Sequence, residues 1–213
     1  MTPGYDAYYW GAEDGRGRGI GQDQEVPEEA PSLLVDISAG SRHTFFVEGG
    51  GRAYVSGFIE SPFGYLGHMG LGPITTAKKC KNPGKQFCVG EVGGTEPFHI
   101  EKVVDARGKL VFAPPFERAI AGVGVAADSG GMHTVLISRD GRVYTSGNNN
   151  KHQLCLGEGY DAVEAVDYFH EVPDISNAIM AAVGDEFTLI LTSDNTVTAA
   201  APTQLDKLGR DSM

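Results

Sequence analysis

Two stretches of this chain are copies of each other, and that constrains its fold more than any other feature. Residues 39–57 read AGSRHTFFVEGGGRAYVSG and residues 129–147 read SGGMHTVLISRDGRVYTSG, at one constant offset of 90 residues. Gly40 aligns with Gly130, His43-Thr44 with His133-Thr134, Gly51-Arg52 with Gly141-Arg142, Tyr54 with Tyr144, and Ser56-Gly57 with Ser146-Gly147. A third copy, VGDEFTLILTSDNTVTAAA at 183–201, follows 54 residues later; it keeps Gly184 and Thr188 but has Phe187 in place of His. A half copy, AYYWG at 7–11, opens the chain.

Each copy has the same physical content. Thr44 to Val47, Thr134 to Ile137 and Thr188 to Thr192 are β-branched and apolar, which fits a half-buried strand. The turns that follow, EGGGR, SRDGR and TSDNT, offer the Gly, Asp and Asn residues that tolerate positive φ in tight hairpins. A second strand comes next: RAYVSG, RVYTSG or TVTAAA. Short apolar segments stand upstream at Leu34–Ile37 and Ile179–Ala182. The unit is a β-meander of about 50 residues that cannot bury its faces alone and must stack on its neighbours. The expectation is an all-β, propeller-like array of about three to four blades. The 30 glycines, about twice the usual share, then serve as repeat punctuation.

The residues narrow the choice further. Gly-x-x-His-Thr before one strand, Asp-Gly-Arg-Val-Tyr-x-x-Gly after it, then Asn149 and the run HQLCLG resemble the regulator of chromosome condensation repeat family. That family's pattern runs G-x-x-H-(S/T), then D-G-x-V-Y-x-W-G-x-N-x-x-G-Q-L-G. His152 and Cys155 stand where it has its last two glycines, and Ser146 where it has Trp. Trp10-Gly11 keeps the Trp, and Gly64-Tyr65-Leu66-Gly67 is a variant of the closing run. The resemblance implies a propeller, usually of seven blades, and it implies one alternative function: guanine-nucleotide exchange on a small GTPase. Three to four units leave the ring small and irregular, open, or completed by other chains. An open array would expose strand edges and apolar faces, so a protein partner is expected to cover them.

The first interval between copies exceeds the second by 36 residues, which places one large insertion at roughly residues 73–119 of a single 1–213 domain. Its first part, TTAKKCKNPGKQFC, holds Lys78, Lys79, Lys81 and Lys85, the candidate interaction residues. Its second part, HIEKVVDARGKLVFAPP, reads as a β-hairpin turning at Asp105 to Gly108 and stopped by Pro114-Pro115. Nothing in it matches the projecting wedge that the family's exchange factor turns on its GTPase.

Chemistry is sparse. Cys80 and Cys88, with His99 beyond, lack the spacing and the second pair of a zinc site, so no metal is expected. His43 and His133 share one repeat position that accepts Phe in the third copy, so they are expected to pack and hydrogen-bond. With Gly40, Gly57, Gly130, Gly141, Gly147 and Gly184 they form the repeat-structural set. Neither G-x-S-x-G, H-E-x-x-H nor G-x-x-x-x-G-K-(S/T) occurs. No catalytic or cofactor-binding residue is nominated, and an enzyme with a site in a central channel is the weakest of three readings. A net charge of −11 opposes nonspecific attraction to nucleic-acid phosphates. No apolar run is long enough to span a bilayer. Three cysteines make no disulfide framework, so an intracellular setting is expected. The reading is a non-enzymatic interaction or structural subunit of a larger assembly.

Overall fold

The computed structural model describes residues 8–11, 24–29, 33–40, 43–57, 60–61, 64–65, 70–72, 98–122 and 133–200. These residues form strands, turns and loops without a helix, arranged as antiparallel blades of a partial propeller. The strands are β1 (Tyr8–Gly11), β2 (Gln24–Glu29), β3 (Leu34–Ala39), β4 (His43–Glu48), β5 (Ala53–Gly57), β6 (Glu60–Ser61), β7 (Gly64–Tyr65) and β8 (Phe98–His99). After them come β9 (Lys102–Val104), β10 (Leu110–Phe112), β11 (Phe116–Ala121), β12 (His133–Ser138), β13 (Val143–Asn148), β14 (Ala165–Glu171), β15 (Ala178–Val183), β16 (Thr188–Thr192) and β17 (Val197–Ala200).

The three repeat copies are three blades. The first has the order β3-β4-β5-β8, the second is built on β11-β12-β13-β14, and the third is β15-β16-β17. β1 and β2 pair separately at the start of the chain, as do β6 and β7. In every blade the hairpin closes the same way. Gly51 N donates to Glu48 O, Gly141 N to Ser138 O and Asn195 N to Thr192 O, a tight turn whose last residue takes positive φ.

The inner strands β3, β11 and β15 share a feature invisible in the residue pattern. Each shifts register at its second residue, between Leu34 and Asp36, Phe116 and Arg118, and Ala178 and Met180. One β-bulge therefore recurs three times, bending each inner strand where it meets its neighbour.

Stacking follows from period-2 alternation. Phe45, Val47, Ala53 and Val55 of the first blade pack on Phe116, Ala119, Leu136 and Tyr144 of the second. Their repeat counterparts Val135, Ile137 and Val143 then pack on Ala178 and Ile190 of the third. The first and second blades thus each have a leading face that is covered by the next blade's trailing face.

The span expected as an insertion, 73–119, also contributes blade strands. Phe98–His99 closes the first blade against β5, and Phe116–Ala121 opens the second. Between them, β9 and β10 form a hairpin around Asp105–Gly108, whose Asp105 Oδ1 accepts the Arg107 and Lys109 amides. β9 lies parallel to β14, so the hairpin extends the second blade to six strands with β10 at its rim.

Candidate functional site

The chemistry-bearing residues gather at the seams between blades. His43 and His133, both fully buried, each begin the second strand of a blade. His43 Nε2 lies 2.9 Å from Thr134 Oγ1, and His133 Nε2 lies 2.9 Å from Thr188 Oγ1. Each repeat His therefore reaches the Thr that follows the same position one blade further on. At the second seam the donor is settled. Thr188 Oγ1 gives its proton to Gln153 O at 2.7 Å, so it must accept from His133 Nε2–H. Burial pulls the His133 pKa down to about 4, against weaker opposing effects from Phe187's backbone and the Asp185 charge. The ring is neutral at pH 7 and serves as a fixed hydrogen-bond donor rather than as a proton shuttle.

The Gly-x-x-His spacing has a steric reason. A Cβ on Gly40 would come within 2.7 Å of His43 Cε1 and 2.5 Å of Gly122 O, and one on Gly184 within 2.2 Å of the Phe187 ring. The amide bonds Gly40 N to His43 O and Gly184 N to Phe187 O recur in the second blade as Gly122 N to His133 O. Gly122 thus does there what Gly40 does in the first, with a longer link to the His. Gly130 lies outside the described residues.

A second device joins the blades at the hairpin turns. Gly51 O accepts the Phe116 amide, and Gly141 O accepts the Ala178 amide, each amide being the first of the next inner strand. The approach is close: a Cβ on Gly51 would meet Pro115 at 2.6 Å, and one on Gly141 would meet Ser176 O at 2.7 Å, both at positive φ. Along the first seam, Asp36 and Ser38 also accept the Ala119 and Ala121 amides. Gly147 sits in β13 at φ 109, and Gly57 ends β5.

The loop after β13 plugs the second seam. Asn149 Oδ1 accepts the Leu154 amide while its Nδ2 donates to Tyr160 O and Val163 O. Thr145 Oγ1 bonds Leu154 O, and Leu154 and Leu156 enter the apolar cluster between the second and third blades. His152 and Cys155 hold φ of 59° and 58°. Those are the two positions where the family pattern carries glycine, and both require the left-handed backbone that glycine adopts without cost.

Among the described residues, the third blade lacks counterparts to the His contact and to the glycine of the hairpin joint. Phe187 has no ring nitrogen to make the hydrogen bond that His43 and His133 make, and Asn195 (φ 64°) stands where Gly51 and Gly141 stand. Its leading face, the repeat equivalent of Val135, Ile137 and Val143, is Leu189, Leu191 and Val197, with Met180 on the inner strand. Met180 is 60% exposed and Val197 59%.

Lys78, Lys79, Lys81 and Lys85 lie outside the described residues, as do Cys80 and Cys88. Among the described residues no group of His, Cys, Asp or Glu could hold a metal ion. No helix there is long and apolar enough to cross a membrane. The sequence nominated the seam histidines, but their Thr partners, Gln153 and the turn-to-strand bonds link different copies, and one copy read alone carries no sign of them.

Comparison with known proteins agrees with this geometry. The model of the regulator of chromosome condensation (RCC1) repeat matches residues 125–153. The fission yeast (Schizosaccharomyces pombe) protein pim1 is 23% identical over 175 residues, 77% of this chain and 26% of that protein. Yeast RCC1 (Prp20), solved bound to Kap60, superposes with a TM-score of 0.60 at 13% identity, covering 90% of this chain and 38% of that one. Human WBSCR16 gives 0.58 at 14% identity, covering 92% and 48%. The chain therefore spans about a quarter of the curated relative and less than half of these solved structures. With a matched repeat at residues 125–153, His–Thr seams between blades and the same fold, the chain carries a regulator of chromosome condensation repeat and resembles that family as a divergent form.

Proposed function

We propose that this chain is a non-enzymatic binding or structural subunit: residues 1–213 form one propeller-like domain completed by a protein partner in a larger assembly. The observation that carries this reading is the leading face of the third blade. In the first two blades the same positions are covered by the next blade, whereas here Met180, Leu189 and Val197 are exposed together on one sheet face. An apolar surface of that kind on a sheet marks an interaction site. The buried histidines, engaged in holding blades together, support the non-enzymatic part.

Purifying the full chain from its own cells and measuring its native mass tests the reading. The expected result is a complex heavier than the 22.6 kDa of the chain. A monomer that is soluble and cooperatively folded on its own would contradict it. The exchange-factor alternative draws on likeness to Prp20p, a protein studied for its binding to Gsp1p and histones. Acceleration of fluorescent-nucleotide release from a small GTPase by this chain would favour that alternative.

A further inference from the structure

The β9–β10 hairpin is surplus to the repeat, and its rim is built to take another strand. Asp105 N bonds Lys109 O and Ala113 N bonds Glu101 O, which makes Val103–Val111 the hydrogen-bonded pair between them. The amides and carbonyls of Leu110 and Phe112 therefore point away from β9, towards an edge that no described strand covers. The side chains follow the same division. Val111 packs on the first seam's core, while Leu110 is 40% and Phe112 84% exposed. Beyond Phe112, the edge runs into an open groove of about 490 Å³ whose walls include Arg52, His99 and Pro114.

The charge is equally specific. Lys102, Arg107 and Lys109 are exposed on this hairpin, and among the described residues the ion pairs involve only Arg52, Arg118 and Arg142 as cations. The hairpin's acids are Glu101, which also lines the groove, and Asp105, which is occupied by two backbone amides, so the three exposed cations outnumber them. A local cluster of unpaired cations on a chain of net charge −11 favours an acidic ligand.

We propose that β10 docks an extended acidic segment of a partner protein, which adds as a further strand beside Leu110–Phe112 and seats an apolar side chain against Phe112. Backbone pairing supplies the affinity, and alternate side chains supply the selection. This surface is separate from the third blade's leading face, so it stands whether or not that face is covered.

The test uses the full chain and a fluorescein-labelled peptide, EVEFEVEFE, with KVKFKVKFK as the charge-reversed control, read by anisotropy. The acidic peptide should bind at least tenfold more tightly than the basic one. Phe112→Ala and the pair Lys102→Glu with Lys109→Glu should each weaken it at least tenfold. Both changes are at exposed positions, and thermal melts check that the fold is kept. Amide exchange at Leu110 and Phe112 should slow when the acidic peptide is bound, which contact by side chains alone would not produce. Equal binding of the two peptides, binding unchanged in both variants, unaltered amide exchange, or no binding at millimolar peptide would each overturn the proposal.

Discussion

At the scale of single residues, His133 makes stability depend on pH in a calculable direction. Its pKa is held at about 4 in the folded chain against 6.5 when free. Between those values the unfolded state binds more protons, so its contribution is complete above about pH 6.5 and is lost as pH falls towards 4. The shift corresponds to roughly 3 kcal/mol. Denaturant unfolding at pH 7 and pH 4.5 should show the loss, and His133→Phe, copying Phe187, should flatten that part of the profile. Two other residues carry strain. His152→Gly and Cys155→Gly should each stabilise the chain by about 1 kcal/mol, since left-handed backbone costs a non-Gly residue about that much. Raised melting temperatures check this, and lowered ones would refute the steric account of the family's glycines. The repeat pattern made these positions legible as departures, while their φ values needed the structure.

At the scale of elements, the blade hairpin is a joint as well as a turn. Gly141→Ala forces a Cβ to 2.7 Å from Ser176 O at φ 78°, and should cost about 2 kcal/mol or more, from steric strain at the turn and a loosened bond to Ala178. Asn195→Gly, at the same repeat position, should be neutral or stabilising, because Asn195 already has positive φ. Chemical denaturation of both variants gives the comparison. The strands themselves were readable, since β-branched runs and Gly or Asp turns are local signals. The shared bulge was not, because its residues Val35, Glu117 and Ile179 mix two β-branched aliphatics with a charged side chain and carry none of the Gly that marks a bulge. Nor was the parallel pairing of β9 with β14, which joins residues more than sixty positions apart through backbone alone.

At the scale of the whole molecule, the seams set a direction along the array. The first seam uses the His43–Thr134 contact, the Gly51 turn and the Asp36 and Ser38 acceptors, and the second keeps the His and the Gly. On the third blade's leading face both devices are gone and only the apolar positions remain. The sequence recorded this as a weak third copy with Phe187 and few glycines; the structure shows where the loss falls. Under the proposed reading, an apolar partner surface covers this face. The most direct measurement is the native mass of the purified assembly with and without the paired change Leu191→Asp and Val197→Asp. The account predicts that the variant chain, still folded by circular dichroism, leaves the assembly. A folded variant that stays in it would contradict the claim that this face is the point of attachment.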